Sequence, residues 1–73
     1  MQSKYVLKKG HSGELVEAVQ EALSLKADGV FGPRTEQTVK SFQIDQGLVG
    51  DGVVGPMTWK KMGLNPQELE ADT

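Results

Sequence analysis

The stretch DGVFGPRT at residues 28–35 returns as DGVVGPMT at residues 51–58, six of eight positions identical at an offset of 23. In a chain of 73 residues, this repeat limits the possible folds more than any other feature. Proline at the first helical position brings a preset φ and lacks a donor that would go unpaired there anyway. Gly32-Pro33 and Gly55-Pro56 therefore read as two helix starts. The Asp-Gly ahead of each supplies a tight turn, because glycine accepts positive φ and aspartate bonds nearby backbone amides. The phrase means a turn followed by a helix, and it is written twice. Phe31 and Val54 hold matching places in the two copies and are expected to fold inward as apolar plugs.

The periodicity around these starts completes a helical plan. In HSGELVEAVQEALSL, residues Leu15, Val19, Ala22 and Leu23, with Val16 beside them, recur at helical spacing. Glu14, Glu17 and Glu21 fall largely on the other side. This predicts a helix over 13–24 with Ser12 as N-cap and Glu14 near the positive end of the helix dipole. After the first copy, RTEQTVKSFQIDQ places Val39 and Phe42, with Thr35 and Gln46, on one side, and Gly47 supplies a stop. After the second, Trp59 and Met62 share a face before Gly63 and Asn65-Pro66 end the helix. Tyr5 and Leu7 can point to one side of an extended lead-in over residues 1–10. The expected fold is all-α, a compact three-helix bundle over residues 1–64. Residues 65–73 form a polar, acidic tail or linker that could add one helical turn.

Composition narrows the function. An apolar fraction of 37% with four aromatic residues predicts a modest core. The absence of cysteine removes disulfides and thiolate metal sites, and the single His11 has no zinc-binding company. Glu68, Glu70 and Asp72 crowd the last six residues, and elsewhere seven acids face eight bases. That balance lacks the basic stripe of a nucleic-acid binder. Tyr5-Val6-Leu7 is too short for a signal peptide or a membrane span.

Taken in order, these stretches resemble the peptidoglycan-binding domain of bacterial and phage cell-wall hydrolases. The elements are Leu7, the turn Gly10-His11-Ser12-Gly13, the run Val16 to Gln20, the first phrase Asp28 to Thr35, and Thr38 to Gln43. Gly47-Leu48 and the second phrase Asp51 to Trp59 follow, so the resemblance covers residues 7–62. It departs in the short connection Ser24 to Ala27, in Val19 where leucine is usual, and in Thr38 where alanine is usual. A related helical module precedes matrix metalloproteinases and works beside a silencing cysteine, a role this chain cannot take. The resemblance implies a non-catalytic module that holds an attached or partner lytic enzyme against peptidoglycan, through its stem peptide or glycan. It implies no cofactor, no nucleic acid or membrane partner, and a monomer. It further implies action at the bacterial cell wall; the missing signal peptide would then fit synthesis in the cytoplasm and release by lysis, as for a phage lysin.

The candidate ligand residues under that reading are Asp28, Gly29, Phe31, Arg34, Thr35, Gln43, Asp51, Gly52, Thr58 and Trp59. Each has a plainer reading beside it. Asp28 and Asp51 serve the turns, the glycines serve the backbone, Thr35 and Thr58 satisfy first-turn amides, and Trp59 caps the core. Gln20 and Gln43 follow core-facing residues and are placed to hydrogen-bond the Asp-Gly loops from the bundle rim. Arg34 at a helix start is electrostatically out of place, which suits a carboxylate-rich stem peptide, although its plainer reading is a solvated surface arginine. Two other functions share the same fold requirements. One is a protein-interaction or adaptor domain without wall binding, whose groove would be apolar and flat rather than polar and open. The other is a minimal hydrolase, which needs two carboxylates facing each other across a cleft; Glu14, Glu17 and Glu21 lie along one helix instead.

Overall fold

The computed structural model describes residues 5–69. Among the described residues four helices follow one another: α1 (Glu14–Ala22), α2 (Pro33–Asp45), α3 (Pro56–Met62) and a single turn, α4 (Pro66–Leu69). Both Gly-Pro pairs begin helices as the repeat requires, with Gly32 and Gly55 extended at the N-cap and proline at the first helical position. The three long helices match the expected bundle, and the turn at 66–69 takes the helical alternative for the tail; residues 70–73 lie outside the described range.

The core is built from both repeats and the lead-in. Leu7, Val16, Val19, Phe31, Val39, Val54 and Trp59 form the buried cluster, with Leu15, Leu23, Met62 and Leu64 packed against it. Phe31 and Val54 are the inward plugs expected of them, at 1% and 0% exposure. Phe42 is half-buried and Gln46 exposed, so the buried stripe of α2 is narrower than its pattern suggests. Burial of these side chains stabilises the domain at about 25 cal/mol per Å² of apolar surface.

The lead-in runs past both loops and fastens them. Leu7 exchanges backbone hydrogen bonds with Val54 at 3.1 and 2.8 Å, an isolated antiparallel bridge. Three to six residues on, Phe31 donates to His11 (2.9 Å) and accepts from Gly10 (3.0 Å), while Gly13 donates to Gly29 (2.9 Å). Ser12 lies in the second bridge, opposite Val30. It therefore does not cap α1: the N-cap is Gly13, and no side chain caps the helix. The bond from Gly13 to the loop fixes the entry to α1 in place of a hydroxyl cap. Trp59 Nε1 donates to the Tyr5 carbonyl at 2.8 Å, joining the lead-in to α3 across 54 residues.

Candidate functional site

Each loop is organised around one buried glutamine. Gln20, 2% exposed, sends its Nε2 to Asp28 Oδ1 (2.9 Å), the Val30 carbonyl (2.9 Å) and Thr35 Oγ1 (3.1 Å). Its Oε1 accepts from the Gly29 amide at 2.9 Å. Gln43, 1% exposed, repeats the set on Asp51 (3.1 Å), Val53 (2.8 Å), Thr58 (3.0 Å) and the Gly52 amide (2.9 Å). Two amide hydrogens serve three acceptors, so one is shared in each hub. The carbonyl and carboxylate on one side and the amide donor on the other settle which end of each glutamine is nitrogen.

The plainer readings of the aspartates hold within these hubs. Asp28 Oδ1 also accepts from Val30 N at 3.0 Å, and Asp51 Oδ1 from Val53 N at 2.9 Å. The Val30 amide, followed by the Gln20 amide, holds the Asp28 carboxyl below its ordinary pKa, with Lys26 adding a smaller attraction. Thr35 and Thr58 do not bond first-turn amides; their hydroxyls accept from the glutamines. Gly29 and Gly52 sit at φ +78° and +76°, where a side chain is strained. A Cβ at Gly52 would also lie 2.9 Å from Glu36 Cγ, and one at Gly29 3.1 Å from Glu17 Oε2. The loops are thus pulled tight against the helices that precede them.

Beside each hub lies a cleft, and the two correspond residue for residue at the offset of 23. The first is lined by Gln20, Ser24, Leu25, Lys26, Asp28, Val30 and Gly32 to Thr35. The second is lined by Gln43, Gly47, Leu48, Val49, Asp51, Val53 and Gly55 to Thr58. They share no residue, so the two loops frame two clefts rather than one common groove. A third cleft between the lead-in and α3–α4 is lined in part by Tyr5, Pro56, Trp59 and Leu64.

The ten sequence candidates divide accordingly. Asp28, Arg34 and Thr35 line the first cleft; Gln43, Asp51 and Thr58 line the second. Gly29 and Gly52 are buried loop residues whose amides face the hubs. Phe31 packs in the core and Trp59, 3% exposed, borders the third cleft. Gln20 and Gln43 bond the loops as expected, but from inside the bundle rather than from its rim. Sequence reasoning missed Lys26, Val49 and Met57 as lining residues. Extending the repeat upstream would have found them: Gln20/Gln43 and Leu25/Leu48 also recur at 23, which makes residues 20–35 and 43–58 one unit used twice.

The fold with its doubled loop defines a class of small helical modules, and comparison with known proteins agrees. Residues 12–62 match the family described as "Putative peptidoglycan binding domain". The chain belongs to this family. It is 39% identical over 64 residues to a zinc D-Ala-D-Ala carboxypeptidase of Streptomyces albus G, covering 77% of this chain and 25% of that one. A crystal structure of a peptidoglycan-binding protein from Clostridioides difficile superposes with a TM-score of 0.77 at 43% identity, covering 80% of this chain and 40% of the other. The SleB N-terminal domain gives a TM-score of 0.79 at 35% identity, covering 86% and 94%. The chain spans only 18–57% of the length of curated relatives that it matches. As a family member, it is a peptidoglycan-binding domain of the kind found in cell-wall hydrolases.

Proposed function

We propose that this chain binds peptidoglycan at the clefts beside its two Asp-Gly loops, without catalysing a reaction, and holds an attached or partner lytic enzyme at the wall as a monomeric module. The observation that carries this reading is the pair of clefts whose walls are already fixed by buried glutamine hubs. A site ordered before binding loses little conformational entropy when a ligand enters. The carboxylates support a non-catalytic role. Glu14, Glu17 and Glu21 are exposed along α1, and Asp28 and Asp51 are engaged by loop amides in different clefts. Tethering converts weak contacts into effective retention, because the linked enzyme stays at high local concentration beside an insoluble polymer.

Co-sedimentation with purified sacculi tests this, with cellulose as the control polymer. The wild-type chain is expected to pellet with sacculi and not with cellulose. A variant carrying Arg34→Glu and Met57→Glu, one at the rim of each cleft, is expected to stay largely in the supernatant while keeping its helical circular dichroism. Equal pelleting of wild type and variant would move the site away from the clefts. No pelleting of the wild type would remove wall binding and favour protein contact through the exposed Val49 and Met57 (80% and 60% exposed).

A further inference from the structure

The two clefts have the same backbone and hubs but not the same charge. At the positions where the first cleft carries Lys26 and Arg34, the second carries Val49 and Met57. With Asp28 included, the first lining has two cations against one carboxylate; the second has the single carboxylate of Asp51. One cleft is net positive and its structural copy is net negative. Lys26 and Arg34 both line this cleft together with Asp28, so the two cations stand at the same opening. Lys26, Arg34, Val49 and Met57 are all exposed, so the core does not dictate their identity; the one other matched lining pair that differs, Ser24 and Gly47, carries no charge. The whole chain carries a formal charge of −2, so attraction of an anion to the first cleft is local and not a property of the protein at large.

Resting on the reading of the chain as a wall-binding module, we propose that the first cleft is a carboxylate subsite, in which Lys26 and Arg34 hold a free carboxylate of the wall's stem peptide. The second cleft does not take that group. Arginine offers a planar fork matched to a carboxylate, and lysine adds a mobile ammonium that follows it. In the second cleft Asp51 repels an anion, and Val49 and Met57 offer it no hydrogen-bond donor. The internal repeat therefore supplies its own control, the same cleft with and without the cations. Each exposed ionic contact contributes roughly two- to fivefold in affinity, so the pair contributes about tenfold.

The test measures binding to sacculi before and after their carboxyls are converted to amides with a water-soluble carbodiimide and ammonia. Amidation is expected to weaken wild-type binding about tenfold. The variant Lys26→Val/Arg34→Met, which writes the second cleft's residues into the first, is expected to bind untreated sacculi about tenfold less and to be indifferent to amidation. Val49→Lys/Met57→Arg is expected to strengthen binding to untreated sacculi only. Lys8→Gln/Lys9→Gln, which removes two exposed cations elsewhere, should behave as wild type. Wild-type binding that survives amidation unchanged would overturn the carboxylate subsite and leave wall binding standing. Equal weakening by the Lys8/Lys9 variant would overturn it in favour of general charge attraction. Failure of the wild type to bind either preparation would overturn the subsite and the wall-binding reading together.

Discussion

Exchanging Gln43 for glutamate, one amide nitrogen for an oxygen, is expected to destabilise the domain by about 3–5 kcal/mol at neutral pH. The side chain keeps its size and the oxygen that accepts from the Gly52 amide. What changes is the other end, the amide nitrogen that in the native chain donates to the Asp51 carboxylate, the Val53 carbonyl and the Thr58 hydroxyl. A carboxylate there donates nothing and sits within about 3 Å of another carboxylate, in a position only 1% exposed. A domain of this length has total stability of about 4–11 kcal/mol, so the loss takes a large share of it. Burial and Asp51 both raise the pKa of the introduced carboxyl above its unfolded value. Its penalty is therefore absent below the unfolded pKa and grows as pH rises through the folded one. Urea unfolding at pH 7 and near pH 4 measures this: the deficit should be larger at the higher pH and reduced at the lower. Gln46→Glu, exposed just beyond α2, should change stability by less than about 0.5 kcal/mol. A deficit below about 1 kcal/mol for Gln43→Glu would mean that the hub is not what holds the loop.

Phe31→Ala is expected to cost about 3–5 kcal/mol, the usual range for removing a buried aromatic ring. Phe31 is the largest fully buried side chain among the described residues. Its backbone is bonded on both sides to the lead-in at Gly10 and His11, so the walls of the resulting cavity have little freedom to collapse. The repeat offers an internal comparison. Val54→Ala, at the matching place, removes two methylene equivalents and should cost about 2 kcal/mol. Thermal and urea unfolding of both variants should show the larger loss at Phe31. Equal losses would contradict the reading of Phe31 as the principal plug.

How much of this was legible in the sequence differs between levels of structure. Helix starts were readable because Gly-Pro acts through local sterics, which need no tertiary information. The end of α1 was harder. The chain turns out at Ser24 with φ +62°, whereas the matching position in the second repeat is Gly47 at +77°. A serine does not announce a left-handed residue, so the pattern carried the expected helix to 24 when it ends at Ala22. The cap at Ser12 failed for a related reason: the local preference was overridden by a backbone bridge to Val30, a contact between segments that no local rule reports. The glutamines were legible in partner but not in place, because a polar residue next to a core position reads as a rim residue until its partners are known to satisfy it in the interior. The division of site residues between two clefts followed only from the structure, although a 23-residue repeat extended back to Gln20 and Gln43 contained it.

The measurement that bears most directly on wall binding at the doubled loop is a nuclear magnetic resonance titration of the isotope-labelled chain with soluble disaccharide-peptide fragments released from sacculi by a muramidase. The largest amide shifts are expected at Lys26, Gly29, Val30 and Arg34, with further changes at Gly52 and Val53, while the exposed face of α1 stays unmoved. Shifts confined to Tyr5, Trp59 and Leu64 around the third cleft, or none at millimolar fragment, would contradict it.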